Sequence, residues 1–308
     1  MNIVVVGAGG VGGYFGAKLA QAGNDVTFIV RGKHLEAIQA NGLQIKSIDG
    51  DFTVHPKVTN DINSIESPDL IILAVKSWQI EDIATQLNNI IDSHTMILPL
   101  QNGADNADRL MSILPANNVL AGLCRIVSKI EAPGVINHFA YKPEIVFGEY
   151  DNSKTKRMET LKTVFDKTGF KNSWSENIQL DIWKKFLFIT MISGMGAMTR
   201  SVFGVMRKDQ NVRALIYQTA NEIVAVANAK GIVLTSKHIE VYMAVIDDLD
   251  YNTTASMQRD IMKGKPSELH NFNGYIVGQG KLLNIETPVN TFTYHCLLPM
   301  ENKARGLV

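Results

Sequence analysis

The sequence predicts an α/β protein, with an N-terminal Rossmann-type dinucleotide-binding domain over residues 1–174 and an all-helical C-terminal domain over residues 175–308. Three observations carry this. A β-branched run, Ile3-Val4-Val5-Val6, breaks at once into Gly7-Ala8-Gly9-Gly10-Val11-Gly12. A helical pattern and a second β-branched run, Val26 to Val30, follow and end in Arg31. Strand signals stop near Trp174, and long helical patterns fill the rest. Strand, glycine turn, helix and strand in that order give the G-x-G-x-x-G spacing its meaning.

Each glycine has a physical task. Gly7 lets the chain turn sharply out of the strand, Gly9 lets a pyrophosphate approach the backbone, and Gly12 lets the helix pack close to the strand. The free N–H groups of the helix start, around Gly10 and Val11, face the phosphates with the helix dipole behind them. Gly13 and Gly16 keep the same helix face small. The dinucleotide is NADP(H). In an NAD site an acid caps the second strand, but Asp25 lies at the wrong end of it. The carboxyl end carries Arg31, with Lys33 close by, and a guanidinium matches a 2′-phosphate.

Later elements follow in order. A helical turn comes after Arg31. Leu43–Ser47 and Phe52–Val54 flank Asp49-Gly50 and read as a hairpin with a type I′ turn. Residues 70–75 and 96–100 read as buried strands. Val119–Leu123 and Ile145–Phe147 are further strands, with Pro133-Gly134 as a turn between them. Alternation of strand and helix implies a mostly parallel sheet covered by helices. Beyond Glu176, residues 176–192, 209–230 and 236–263 read as helices, with Gly231 as a C-cap after the second. A substrate cleft between the two domains is the default expectation.

Composition narrows the function. The chain has 308 residues with 30 basic and 30 acidic side chains. A length of this order suits two domains. Balanced charge argues against nucleic acid as a partner. Two cysteines, Cys124 and Cys296, read as free thiols in a reducing cytosol. The N-terminus enters a strand without a basic leader, which points to a cytoplasmic protein. The longest nearly apolar stretch, Phe186 to Met198, is too short and glycine-rich for a membrane span. Seven histidines lack paired-ligand spacing, so no metal site is expected.

Sheets of this kind present function at the carboxyl ends of their strands. There, Lys76-Ser77-Trp78-Gln79 and Gln101-Asn102-Gly103 offer a lysine and an asparagine for a nicotinamide ribose and a substrate oxygen. Lys185 stands in a helical stripe with Ile178, Ile182, Ile189 and Ile192. A lysine so placed is buried or at a cleft edge, where its pKa falls and proton exchange becomes easier. Glu268, in Gly264-Lys265-Pro266-Ser267-Glu268-Leu269, is a candidate partner, although proline followed by an acid also suits any helix start.

These segments together resemble ketopantoate reductase (2-dehydropantoate 2-reductase), over nearly the whole chain. The glycine motif with Arg31, the Lys76 and Asn102 stretches, Trp183-Lys184-Lys185-Phe186-Leu187, Ala255-Ser256-Met257-Gln258-Arg259-Asp260-Ile261 and the segment around Glu268 carry the resemblance in this order. It implies that Arg31 binds the 2′-phosphate and that Lys76 and Asn102 contact cofactor ribose or substrate. Lys185 would donate the proton, Ser256 would hold the substrate carboxylate, and Glu268 would orient Lys185 or bind the forming hydroxyl. The implied reaction is hydride transfer from NADPH to 2-dehydropantoate, giving pantoate for coenzyme A synthesis.

Two departures bear on the substrate. Asparagines usually stand four and eight residues after the lysine in this family, whereas here Ile189 and Ser193 do, facing the expected pocket. Thr253 stands where asparagine is common. A paralogous reductase of another branched or aromatic 2-keto acid is therefore the alternative, and a non-catalytic NADP(H) sensor a more distant one. The small-molecule acid is the expected partner, and the long helical domain offers surface for a homodimer.

Overall fold

In the computed structural model, which describes residues Met1–Val308, the apolar opening run becomes the central strand of a parallel sheet. The first unit, Met1–Ile178, runs in order β1 (Asn2–Val6), α1 (Gly10–Gln21), β2 (Asp25–Ile29), α2 (Gly32–Asn41), β3 (Leu43–Ser47), β4 (Phe52–Val54) and β5 (Lys57–Thr59). It continues with β6 (Leu70–Leu73), α3 (Ile80–Leu87), β7 (Met96–Pro99), α4 (Asn106–Met111), β8 (Leu120–Ala132), β9 (Val135–Glu149), α5 (Lys156–Asp166) and β10 (Lys171–Trp174).

β5, β2, β1, β6 and β7 lie side by side in that order, and every pairing is parallel. All residues of β6 and β7 are buried. That is why they read as unbroken apolar runs rather than alternating ones. The chain builds outward from β1 through β2 to β5, then returns to the other flank of β1 as β6. The order therefore reverses beside β1, the position where open α/β sheets bind ligands.

The remaining strands correct the expectation of one sheet. β4, β3, β9 and β10 form a second sheet in which β8 pairs with β9 antiparallel. The two short strands expected around Pro133-Gly134 are the outer parts of this long β8–β9 hairpin. Its near-tip residues are partly exposed, so an apolar run does not mark them. β3 joins one part of β9 and β10 another, both in parallel. The β3–β4 hairpin forms, but its turn is not type I′. The Gly50 N–H donates to the Ser47 carbonyl at 2.9 Å, and positive φ is confined to Gly50, at 105°. A type I′ turn needs positive φ at both central residues. Asp51 instead accepts the Ser47 N–H and stabilises a longer loop. The helical turn expected after Arg31 is the whole of α2.

The second unit, Gln179–Val308, is helical. α6 (Ile178–Thr199) starts at the last residue of the first unit, where the Ile178 N–H donates to Asn152 Oδ1 at 2.8 Å. It runs past residue 192, where Gly194 and Gly196 let neighbouring side chains pack closely. A Cβ on Gly194 would meet Thr293 and Asn273, and one on Gly196 would meet Gln258. α7 (Phe203–Met206) and α8 (Gln210–Ala229) follow. Gly231, at φ +81°, closes α8 with the bonds Gly231 N–H to Asn228 and Ile232 N–H to Ala227, a Schellman motif.

The expected helix over 236–263 is two, α9 (Ser236–Asp248) and α10 (Ser256–Met262). The break has tertiary causes. Phe203 and Gly204 donate their N–H groups to Thr253 and Tyr251, and the Tyr251 ring fills the space a Cβ on Gly204 would need. A π-turn at His270–Gly274 leads into α11 (Tyr275–Leu283), and α12 (Pro288–Ala304) ends the fold. No helix is long and apolar enough to cross a membrane.

Candidate functional site

The sheet registers place four predicted segments along one edge. Val6 pairs with Ile29 and Leu73, and Leu73 pairs with Pro99. The chains leaving β2, β1, β6 and β7 at this carboxyl edge lead to Arg31, the glycine loop, Lys76 and Asn102 respectively. Arg31 is exposed and sits at the N-cap of α2. Lys76 is exposed with its ammonium 5.6 Å from the Trp78 ring centroid, and Asn102 is half-buried.

The glycine loop fits a dinucleotide. Gly7 has φ +96°, and a Cβ there would press on Val75 and Ala74. A Cβ on Gly12 would lie 2.0 Å from the Gly7 carbonyl oxygen and 2.8 Å from the Ala74 Cβ. A Cβ on Gly10 would strike the Ser128 carbonyl at 2.5 Å. Gly9 differs, because a Cβ there would meet nothing within 4 Å. So three glycines are required by the protein's own packing, and Gly9 faces open space. α1 has no side-chain cap and no acid in its first turn. Its first N–H groups, including those of Gly10 and Val11, therefore have no anionic side chain competing for them, which suits a phosphate.

Behind Asn102 lies a polar cluster that periodicity could not reveal. Gln101 is buried with both amide atoms unpaired, while its carbonyl accepts from Asn106 Nδ2 at 2.9 Å. Arg109 donates to both Glu81 oxygens and to the Ser77 carbonyl, so α4 is tied to the chain that follows Lys76. Burial pushes the Asp105 carboxyl up to about 6, against a smaller opposing pull from Arg109. An Asp beside Asn in a turn segment gives no sequence sign of this, because burial comes from packing.

Along α6, Ile178, Ile182 and Ile192 are buried, whereas Lys185 and Ile189 are half-buried neighbours. The stripe thus buries its ends and leaves its middle accessible. Ser193 is buried, and its hydroxyl donates to the Ile189 carbonyl, so that donor is used within the helix. Ser256 is exposed at the first position of α10.

Glu268 is buried, and both of its neighbours are held in place. The Ser267 N–H donates to the Glu301 carboxylate at 3.0 and 3.1 Å, and its hydroxyl donates there too. Arg305 donates to Glu301 and to the Ser267 carbonyl, and the Leu269 N–H donates to Ser267 Oγ. Pro266 does not open a helix, which begins only after Glu268. Beside it, burial and the Arg305 charge lower the His270 pKa, and Nδ1 lies 2.8 Å from the Tyr294 hydroxyl. Glu301, thirty-four positions from Ser267, left no local signal in the sequence.

Comparison with known proteins bears on both units. The family described as ketopantoate reductase PanE/ApbA matches residues 3–152, and its C-terminal counterpart matches residues 177–301. A 2-dehydropantoate 2-reductase of Pyrococcus abyssi (strain GE5 / Orsay) is 31% identical over 94% of this chain and 94% of its own. A crystal structure of a PanE/ApbA family ketopantoate reductase from Ralstonia eutropha JMP134 superposes with a TM-score of 0.91 at 28% identity, over 99% of this chain and 100% of that one. A D-mandelate dehydrogenase with NADH and anilino(oxo)acetate superposes at 0.90 over 99% of each chain. At 23% identity it shows a shared fold alone.

Two expectations follow from this geometry. Gly9→Ala leaves the melting temperature unchanged but weakens dinucleotide binding at least tenfold (about 1.4 kcal/mol), whereas Gly12→Ala lowers the melting temperature as well. Calorimetry with and without cofactor checks both, and unimpaired binding by Gly9→Ala would remove the loop from the site. The second concerns Asp105. Its folded-state pKa lies above the ordinary aspartate value of 3.8, so the folded state holds the proton more tightly than the unfolded chain. Stability from this group is full below about pH 4 and is lost as pH rises to about 6. Asp105→Asn therefore raises the melting temperature near neutral pH, with the gain shrinking below about pH 5. A gain independent of pH would contradict this account.

Proposed function

The chain belongs to the ketopantoate reductase family, and from that premise we propose that it reduces 2-dehydropantoate to pantoate with NADPH in coenzyme A biosynthesis, in the cytoplasm and as a homodimer. The observation that carries the reading is Lys185, a lysine left half-buried among buried isoleucines, in a chain matched to the family through both units. A sensor has no need of such a lysine.

The proposed roles follow from the chemistry of each group. Arg31 pairs with the 2′-phosphate, and the glycine loop and the start of α1 receive the pyrophosphate. Lys76 and Asn102 hold ribose hydroxyls and the substrate oxygen. When bound, NADPH supplies the hydride that adds to the ketone carbon. Lys185 meets the negative charge developing on the ketone oxygen and gives it a proton, which completes the alcohol. Glu268 orients the Lys185 ammonium or accepts from the new hydroxyl. The clamp of Ser267 and Glu301 limits its freedom to move. Ser256 donates to the substrate carboxylate.

A second reading is favoured by Ile189. It lies one turn beyond Lys185 and has no donor or acceptor in its side chain. The Ser193 hydroxyl is occupied by the helix itself. A site built to hydrogen-bond a hydroxyl rejects analogues lacking it strongly, whereas an apolar one discriminates weakly. Another branched or aromatic 2-keto acid is then the preferred substrate.

For Lys185→Ala, kcat is expected to fall about 10²–10⁴-fold, the usual contribution of general acid catalysis, with NADPH affinity nearly unchanged. Retained turnover under conditions where chemistry limits the rate would place the proton donor elsewhere. A panel of 2-keto acids separates the two substrate readings. Under the second, kcat/KM for 2-ketoisovalerate, which lacks the hydroxymethyl group, approaches that for 2-dehydropantoate, and Ile189→Asn moves the ratio toward the hydroxylated acid. A strong wild-type preference for 2-dehydropantoate, unmoved by Ile189→Asn, leaves the first reading standing. Absence of NADPH oxidation with every acid would favour the sensor.

A further inference from the structure

His34 lies in the first turn of α2, three residues after Arg31, and both of its ring nitrogens meet main-chain groups from distant segments. Nε2 is 2.9 Å from the Ala8 carbonyl oxygen, inside the glycine loop. The Gly134 N–H, at the tip of the β8–β9 hairpin, donates to Nδ1 at 2.9 Å. An N–H directed at Nδ1 requires a lone pair there, so the proton sits on Nε2 and donates to Ala8. The two bonds together select one neutral tautomer.

The bonds matter because the two segments they join are held very differently. The glycine loop is secured without His34. The Gly7 N–H donates to Ile29 at 3.1 Å, the Gly13 N–H donates to Gly9 at 2.8 Å, and Gly12 packs on Gly7 and Ala74. The start of α2 is held by Leu35, partly buried against the core, and by the Val30 N–H donating to Thr59, but it has few polar ties besides His34. Arg31 provides no side-chain cap, Gly32 has φ +58°, and Ile38 is the buried side chain of the helix. Gly134 adds packing farther along, where a Cβ on it would meet Ala37 at 3.1 Å.

We propose that His34 is a positioning residue for cofactor selection, fixing the first turn of α2, and with it Arg31, to the glycine loop. The anchor for the 2′-phosphate and the cradle for the pyrophosphate are then held at one spacing. A guanidinium on a long, exposed side chain gains from a phosphate only what it does not lose in ordering, and a fixed helix start reduces that loss. The inference rests on the reading that Arg31 meets the 2′-phosphate. It does not depend on which keto acid is the substrate.

The test is a titration of the full chain with NADPH and with NADH, without substrate. His34→Ala is expected to weaken NADPH about tenfold, within the range of a charge-assisted bond, and NADH less than about twofold. In the Arg31→Ala background the His34→Ala effect on NADPH should vanish, because coupled groups are not additive. His34→Gln keeps an N–H donor that reaches Ala8 and should retain most of the preference. His34→Asn keeps only a group near the Nδ1 position and should not. These two conservative variants decide the matter if His34→Ala does not fold, with melting curves of the cofactor-free proteins as the control. Equal weakening of both cofactors, equal preference in the Gln and Asn variants, or a His34 effect that persists without Arg31 overturns the coupling. An unchanged preference in Arg31→Ala overturns the Arg31 assignment and the coupling with it. Lost preference in Arg31→Ala but not in His34→Ala overturns the coupling alone.

Discussion

The close approach of Gly12 to Gly7 and Ala74 sets the geometry on which the cofactor half depends. With no Cβ at position 12, α1 can start directly over the end of β1 and beside the end of β6. That contact fixes the direction of the first free N–H groups of α1. It also sits where strand order reverses beside β1. Arg31, Lys76 and Asn102 then follow from parallel pairing, since each leaves a strand in register with its neighbour.

The second sheet supports this edge from another direction. Its β8 strand brings the Ser128 carbonyl against Gly10, and the turn after it supplies the Gly134 N–H to His34. A glycine-rich loop has few side chains to stiffen it, so its rigidity comes from neighbours. Here these neighbours include a hairpin whose apolar content gives no hint of such a task. The polar cluster of Gln101, Asp105, Asn106 and Arg109 does the same for the loop bearing Asn102.

The helical unit solves a related problem with charge. Glu268 stands in a short irregular segment, where backbone freedom would scatter a carboxylate. Glu301, fully buried and paired with Arg305, takes the N–H and hydroxyl of Ser267. A buried carboxylate is costly unless its lone pairs are filled, and this one is filled by the segment it restrains. On α6, the half-buried pair Lys185 and Ile189 sits between buried isoleucines. Amphipathic periodicity marked the stripe, but not which part of it stays accessible.

Sequence by itself determined most of the local structures and which residue types stand on them. The glycine spacing between β1 and α1, the basic end of β2, the buried parallel strands and the lysine in an isoleucine stripe are all local patterns, written within one or two helical turns. The break between α9 and α10, the second sheet, the raised Asp105 pKa and the partners of His34 and Ser267 were decided only by tertiary structure. Each depends on a group far away in sequence, such as Tyr251 against Gly204, Gly134 against His34 or Glu301 on Ser267. Periodicity reports which face of an element is apolar. It cannot report which distant backbone amide or carboxylate that element will meet, because burial and hydrogen-bond partners exist only once the chain has packed.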